Sequence, residues 1–298
     1  MGIRPLLFIS LPEVPLMNKR IHPNSLPLLT LAAGIIGMAL RFWHLSRLGE
    51  DMLLPRWHIA FILTTVLTIA VIVCLFIFTK PLKGQGKYQK NFPASLPAAV
   101  CSFAAALALF VRGLGILMDP VTRIATVTGI ACILAVPCMI LSGMNRWKGQ
   151  RTTFLFHMVC AACFAFGLMH HYQTWTSSPN LHLHMCRMAA TAGLMLCFYH
   201  RAEFDVRIGS RRGYAFLNLT TLYFCLLAVP EGDSLFFLIM AAWLLTNLCS
   251  LNIFRQRPAA LQQEEPAESA EPAEPVPVEP AEPAPAESAP AESGQEEV

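Results

Sequence analysis

The chain has 298 residues, of which 55% are hydrophobic and 14% are charged, and its formal net charge at pH 7 is +3. Charged residues make up about a quarter of an ordinary soluble domain, and the mean hydropathy here is +0.50. These values exclude a typical soluble globular domain and predict a protein that lies in a membrane.

Charge is distributed unevenly along the chain. All 22 Lys and Arg precede residue 258, whereas residues 258–298 hold eleven Glu and no basic residue. The small net charge is therefore the sum of a basic membrane domain and an acidic tail. We divide the chain into an N-terminal cytoplasmic segment (1–25), a transmembrane domain (26–254) and a disordered cytoplasmic tail rich in Pro, Ala and Glu (255–298).

The N-terminal segment does not have the pattern of a secretory signal peptide. Its apolar patch, Leu6–Leu11, is shorter than the core of such a peptide and is followed by Pro12. Translation that starts at Met17 is an alternative, because Met17 is followed by Asn, Lys and Arg and then by the first apolar run.

Eight apolar runs follow, and each is long enough, or nearly so, to cross a hydrocarbon core about 30 Å thick as a helix. Strands of a membrane barrel would alternate in polarity over about ten residues, and the runs show no such alternation. The sequence therefore predicts an all-α polytopic transmembrane bundle with eight spans. The runs are Leu26–Trp43, Ile59–Phe78, Leu96–Met118, Val121–Leu141, Thr153–His170, Leu181–Tyr199, Tyr214–Val229 and Leu235–Phe254.

The loops between these runs predict the orientation of the chain. Counted by loop, 16 Lys and Arg lie on the side of both termini and four on the opposite side. Positive residues collect in the cytoplasm, so we predict a multi-pass protein of the bacterial cytoplasmic (inner) membrane with both termini cytoplasmic. Basic loops of this kind match anionic membrane lipids as partners and do not indicate nucleic-acid binding. A protein partner or a homo-oligomer remains open.

Two arginines lie inside predicted spans, Arg112 in the third and Arg187 in the sixth. A guanidinium in a span is costly and normally faces protein or water. With the predicted topology both lie at a similar depth in the outer leaflet, close to His171 and His184. One interpretation is a shared ligand site for a phosphate, carboxylate or lipid headgroup, with charged residues at its rim. The rim candidates are Asp119, Glu231 and Asp233. The alternative is a pair of structural arginines that bond carbonyls or acids such as Asp119.

Histidines offer a second possible chemistry. His157 and His171 are fourteen residues apart and share a helix face, as haem ligands of membrane cytochromes would, but His184 and His200 point to opposite faces. His182 and His184 could hold Zn or Cu only if the sixth helix begins after them. Neither pattern is complete, so we predict no metal, no cofactor and interfacial histidines.

Cysteines and charged residues near the ends of spans have simpler interpretations. Cys160 and Cys163 have the spacing of a thiol redox pair, but burial in lipid opposes thiolate formation, and the small residues between them favour helix packing. Arg201 and Asp205 are spaced for a helical ion pair, which we predict to lie at a solvated helix end.

Five short segments resemble an uncharacterised group of bacterial multi-span membrane proteins. The resemblance spans about residues 17–254, excludes the acidic tail, and implies eight helices and no catalytic activity. The segments are Leu26–Gly34, Asn91–Pro97, Tyr172–Trp175, Tyr199–Asp205 and Leu245–Ser250.

No motif for phosphate loops, zinc proteases, nucleophile elbows or kinases occurs in the sequence. We therefore predict a non-enzymatic membrane scaffold, or a binder of a small anionic or lipidic ligand in the outer leaflet between the third, fifth and sixth spans. A secondary transporter is the alternative, and a haem or thiol redox protein comes third.

Overall fold

The structure is a computed structural model that describes residues 25–46, 58–82, 91–120, 122–176, 184–206 and 208–251. These residues form eight α-helices and a short 3₁₀ turn, and no β-strand occurs among them. Most of the predicted N-terminal segment and the acidic tail lie outside the described residues. The elements are α1 Leu26–Leu45, α2 Ile59–Phe78, α3 Leu96–Met118, α4 Arg123–Lys148, α5 Phe154–Trp175, α6 Met185–Asp205, α7 Arg211–Ala228, the 3₁₀ turn Val229–Glu231 and α8 Ser234–Cys249.

The hydropathy pattern predicts the existence of these helices better than it predicts their ends. The bounds of α2 and α3 agree with the second and third runs, whereas α4 extends beyond the predicted end at Leu141 to Lys148. Local capping fixes the ends of α4. The Thr122 hydroxyl accepts the N–H of Ala125 at 3.1 Å, and Gly149 takes the left-handed conformation that ends a helix. Helical hydrogen bonding therefore continues past the apolar part of the run.

Six of the described helical segments are long and apolar enough to cross a membrane: α1 to α5, and α7 with its 3₁₀ turn. The two other helices do not have both properties. α8 has 16 residues, and α6 carries four charged side chains. The chain is thus an all-α, membrane-embedded protein, and the two further crossings in the predicted count of eight remain a prediction.

Successive helices from α3 to α8 alternate in direction. Each helix from α3 to α8 packs antiparallel to the next, α8 also packs against α3, and α1 runs parallel to α7 with α2 beside it. The ends of α1, α3, α5 and α7 therefore meet the starts of α6 and α8. We call this end of the bundle, which contains Arg112, the Arg112 end, and the opposite end, which contains Arg201, the Arg201 end.

Aromatic rings fill the middle of the bundle around α8. Trp243 stacks on Phe198 of α6 at 4.7 Å between ring centroids, and its Nε1 donates a hydrogen bond of 3.1 Å to the hydroxyl of Ser102 on α3. Phe164 of α5 stacks on Phe198 at 5.5 Å and approaches Phe236 at the start of α8. These contacts join four helices and separate the polar groups of the two ends.

Candidate functional site

Arg112 lies in the last third of α3 and points into the protein at the Arg112 end. Its Nη2 is 2.7 Å from Nε2 of His171 on α5. A guanidinium only donates, so the imidazole nitrogen is the acceptor in this hydrogen bond. The Cζ of Arg112 also lies 4.3 Å from the ring centroid of Phe236 on α8, a cation–π distance. Three helices therefore hold this guanidinium in place.

Arg187, in the first turn of α6, shares a carboxylate with Arg112. Its Nη2 lies 2.6 Å from Oδ2 of Asp233, and the Nη2 of Arg112 lies 3.8 Å from the same oxygen. The Asp233 side chain is 42% exposed, against 13% for each arginine. Two largely buried cations thus face one carboxylate that water can reach.

The turn before α8 places this carboxylate. Gly232 has φ +114° and Asp233 has φ +50°, so the chain reverses through two residues of left-handed conformation. Glycine reaches the first of these values without strain, and aspartate tolerates the second better than most residues do. A Cβ on Gly232 would lie 3.4 Å from Nη1 of Arg187. The Gly-Asp sequence is therefore suited both to the turn and to the close approach of Arg187.

The buried carboxylate of Glu231 locks α1, α6 and the 3₁₀ turn together. Its Oε1 accepts from Nε and Nη2 of Arg41 at 2.9 and 2.8 Å, and its Oε2 accepts the backbone N–H of Arg187 at 3.1 Å. The side chains of Arg41 and Glu231 are 3% and 0% exposed. A negative group at the first turn of α6 also complements the helix dipole. Glu231, predicted as a rim charge, is thus a buried structural residue.

A stack of rings lies beside the two arginines. Trp175, at the end of α5, stacks on His171 at 4.3 Å and on His184 at 4.1 Å between centroids. The Cζ of Arg187 lies 4.8 Å from the Trp175 ring centroid. His184, at the start of α6, therefore reaches the site through Trp175.

A cavity of about 760 Å³ is bordered by Arg112, His171, Trp175, Arg187 and Asp233, but not by His184 or Glu231. Its charged and imidazole side chains are those of Arg112, His170, His171, Arg187 and Asp233, with Asp119 at an exposed position. Thr174 and Ser234 add hydroxyl groups. The remaining lining is mainly apolar and belongs to α3, α5 and α8, with Ala125 from α4. A volume of this size with a few converging polar groups is typical of small-molecule sites.

The structure brings the four predicted site residues together. Arg112 contacts His171 directly, and His171, Trp175, His184 and Arg187 form one chain of ring and cation contacts. The sequence pattern placed Asp233 only at the rim and did not assign the eighth span to the site, whereas Phe236 of α8 contacts Arg112. The only sequence signal for it was the acidic Glu-Gly-Asp turn, which we treated as a rim.

The prediction of a solvated helix end at Arg201 and Asp205 is wrong. α6 continues past the predicted end at Tyr199, and both side chains are fully buried. Arg201 donates a hydrogen bond of 3.0 Å to Oδ1 of Asn247 on α8, and Asp205 lies 3.6 Å from His157 on α5. The end of α8 and the start of α5 therefore cover a polar stretch that the sequence pattern placed in water.

The cysteine and histidine side chains contact other groups than the sequence pattern suggests. Cys163 has its Sγ 3.5 Å from Sγ of Cys132 on α4, while Cys160 points to the carbonyl of Ala135. His157 and His171 lie at opposite ends of α5, each in the contacts given above. His182 lies outside the described residues. Within the described ranges, no group of three or more His, Cys, Asp or Glu could hold a metal ion.

No family model, curated protein or solved structure matches the chain. The resemblance to bacterial multi-span proteins, and the bacterial origin with it, therefore stay predictions. The fold alone defines the class, which is a helical protein embedded in a membrane.

Proposed function

We propose that this membrane protein is non-enzymatic and binds an anionic group, a phosphate or a carboxylate, at the cavity bordered by Arg112 and Arg187. The observation that supports this most directly is the excess of guanidinium donors at that cavity. In the part of the chain that the structure describes, Arg112 has a hydrogen-bond partner only at Nη2, and the buried Nε of Arg187 has none. A bound anion would supply acceptors for the further donors of Arg112.

The charge balance at the cavity supports the same conclusion. Glu231 is fully engaged by Arg41 and by the backbone of Arg187, so it does not neutralise the site. Asp233 and Asp119 are accessible to water, which weakens their fields. The guanidinium groups are largely desolvated, and charge-assisted bonds formed there are strong.

The aromatic middle of the bundle favours binding over transport. A transporter needs a polar path from the site towards the opposite side of the membrane. Phe198 occupies that position, with Phe164 and Trp243 both stacked on it. We therefore place the secondary transporter second.

The test is a titration of the full-length protein in neutral detergent micelles with phosphatidic acid and, separately, with phosphatidylcholine of the same chains. We expect phosphatidic acid to bind more tightly, and Arg112→Gln to weaken it at least tenfold, because a hydrogen bond to a charged group contributes about 1.5–3 kcal/mol. Phosphatidylcholine binding should not change.

Arg123→Gln is the matched control, because Arg123 is an exposed arginine at the same end of the bundle and does not border the cavity. Equal binding of the two lipids to the unmodified protein, or an equal effect of both substitutions, would contradict the proposal.

A further inference from the structure

We propose that the anion at the Arg112 site is the headgroup of a membrane lipid, which enters sideways from the bilayer and lays the upper part of its hydrocarbon chain against α3 and α8. This inference rests on the proposed function, since it takes the anion site as given and names the molecule that carries the anion.

The first support is the position of the cavity at the surface of the bundle. Three of its apolar lining residues are also among the most exposed large hydrophobic side chains of the described residues: Leu107 at 64%, Val111 at 62% and Leu235 at 70%. Exposed apolar side chains of a membrane-embedded helix face acyl chains. The cavity is therefore open to the hydrocarbon region, and a free phosphate would leave this part of its lining unused.

The second support is the direction of the apolar lining. Leu107, Val111 and Gly115 are spaced by four residues and form one stripe along α3, with Arg112 beside it. Leu107 is five residues further from the end of α3 than Arg112, about 7.5 Å along the helix axis. A lipid whose headgroup meets Arg112 would thus extend its chain along the stripe towards the membrane centre, as bilayer lipids do.

The third support is open space at Gly115. A Cβ built on this residue meets no atom within 4 Å, whereas one built on Gly113 would lie 2.9 Å from Cys132 on α4. Close packing therefore explains the glycine at position 113 but not the one at 115. Gly115 instead widens the cavity next to the arginines, where the glycerol and first carbons of a lipid would lie.

The size of the cavity fits part of a lipid. A volume of about 760 Å³ lies in the range that encloses a drug-sized molecule. It takes a headgroup and the first part of a chain, and the remainder of the chain stays in the bilayer.

The experiment uses the full-length protein in phosphatidylcholine nanodiscs that contain phosphatidic acid with a diazirine in its acyl chain. After illumination, mass spectrometry locates the crosslinks. We expect them on α3 between residues 107 and 116 and on α8 between residues 235 and 239, and we expect a large excess of inorganic phosphate to leave at least half of them in place. Crosslinks confined to other exposed surfaces, such as α2, would overturn the inference.

Variants separate the chain from the headgroup. Gly115→Leu fills the open space but keeps both guanidinium groups. We therefore expect at least a tenfold loss of crosslinks, while inorganic phosphate still stabilises this variant against heat. Arg112→Gln should lose both responses. If Gly115→Leu keeps its crosslinks, the lipid placement is wrong and the anion site stands. If Arg112→Gln keeps the phosphate response, the proposed function itself fails.

Discussion

At the scale of single residues, the two carboxylates next to Arg187 have different tasks. Glu231 is buried, and both of its carboxylate oxygens accept hydrogen bonds. Asp233 is half-exposed and faces two arginines at once. The first holds the helices together, and the second competes with any anion that enters. A substitution of Asp233 should therefore change anion binding, whereas a substitution of Glu231 should change the stability of the protein.

Asp233→Asn should increase the affinity for phosphatidic acid. The substitution removes the carboxylate that occupies Arg187 and keeps a side chain that tolerates the φ of +50° at this position. Loss of a competing ion pair to a half-exposed carboxylate, about 0.5–1 kcal/mol, predicts a gain of about two- to fivefold, measured by the same titration in micelles. Weaker binding would show that Asp233 positions the arginines instead of competing with the ligand.

Glu231→Ala should destabilise the protein strongly. It leaves the buried guanidinium of Arg41 without its carboxylate, and breaking one side of a buried pair costs about 3–5 kcal/mol. Unfolding by a denaturing detergent, followed by circular dichroism, measures the change.

Glu203→Ala is the control for that measurement. Glu203 pairs with His200 at 2.7 Å, but both side chains are partly exposed, and such pairs contribute about 0–1 kcal/mol. Similar losses in the two variants would contradict the structural role of Glu231.

At the scale of elements, small residues let the helices approach closely. Gly113 on α3 and Gly129 on α4 face each other, and a Cβ on either would lie 3.1 Å from the carbonyl oxygen of the other. On α1, a Cβ on Gly34 would lie 2.4 Å from the side chain of Leu226 on α7. Helices in lipid associate through such close packing, because burial of apolar surface gives little advantage there.

Gly113→Ala and Gly115→Ala form a matched pair that tests this packing. Both replace glycine by alanine in α3 and gain about the same helix propensity, roughly 1 kcal/mol. Only the first forces α4 to move, so we expect Gly113→Ala to lower the melting temperature relative to Gly115→Ala. Equal melting temperatures would show that the contact between α3 and α4 has more room than the structure indicates.

At the scale of the whole molecule, the alternating direction of successive helices predicts the membrane topology. α6 and α8 pack antiparallel to their neighbours, which supports their crossing the membrane although they are more polar or shorter than the other six. An even number of crossings places both termini on one side, and the basic loops predict that this side is the cytoplasm.

Reporter fusions test this topology. Green fluorescent protein fused after the last residue should fluoresce, and alkaline phosphatase at the same position should be inactive, because the enzyme needs an oxidising compartment to form its disulfides. Active phosphatase at the C-terminus would place this terminus outside the cytoplasm and would contradict the predicted topology.

The sequence by itself determined the class of the protein and the approximate extent of its helices, because the apolar length needed to cross a bilayer is a local property. It also singled out Arg112 and Arg187, since charge inside an apolar run is visible without a structure.

Only the tertiary structure decided what these residues contact. Arg112 is 59 residues from His171, Arg187 is 46 from Asp233, and Arg41 is 190 from Glu231. The burial of Arg201 and Asp205 likewise depends on helices that are distant in sequence. Such pairings follow from which helix faces meet, and hydropathy does not specify these faces when nearly every side of a helix is apolar.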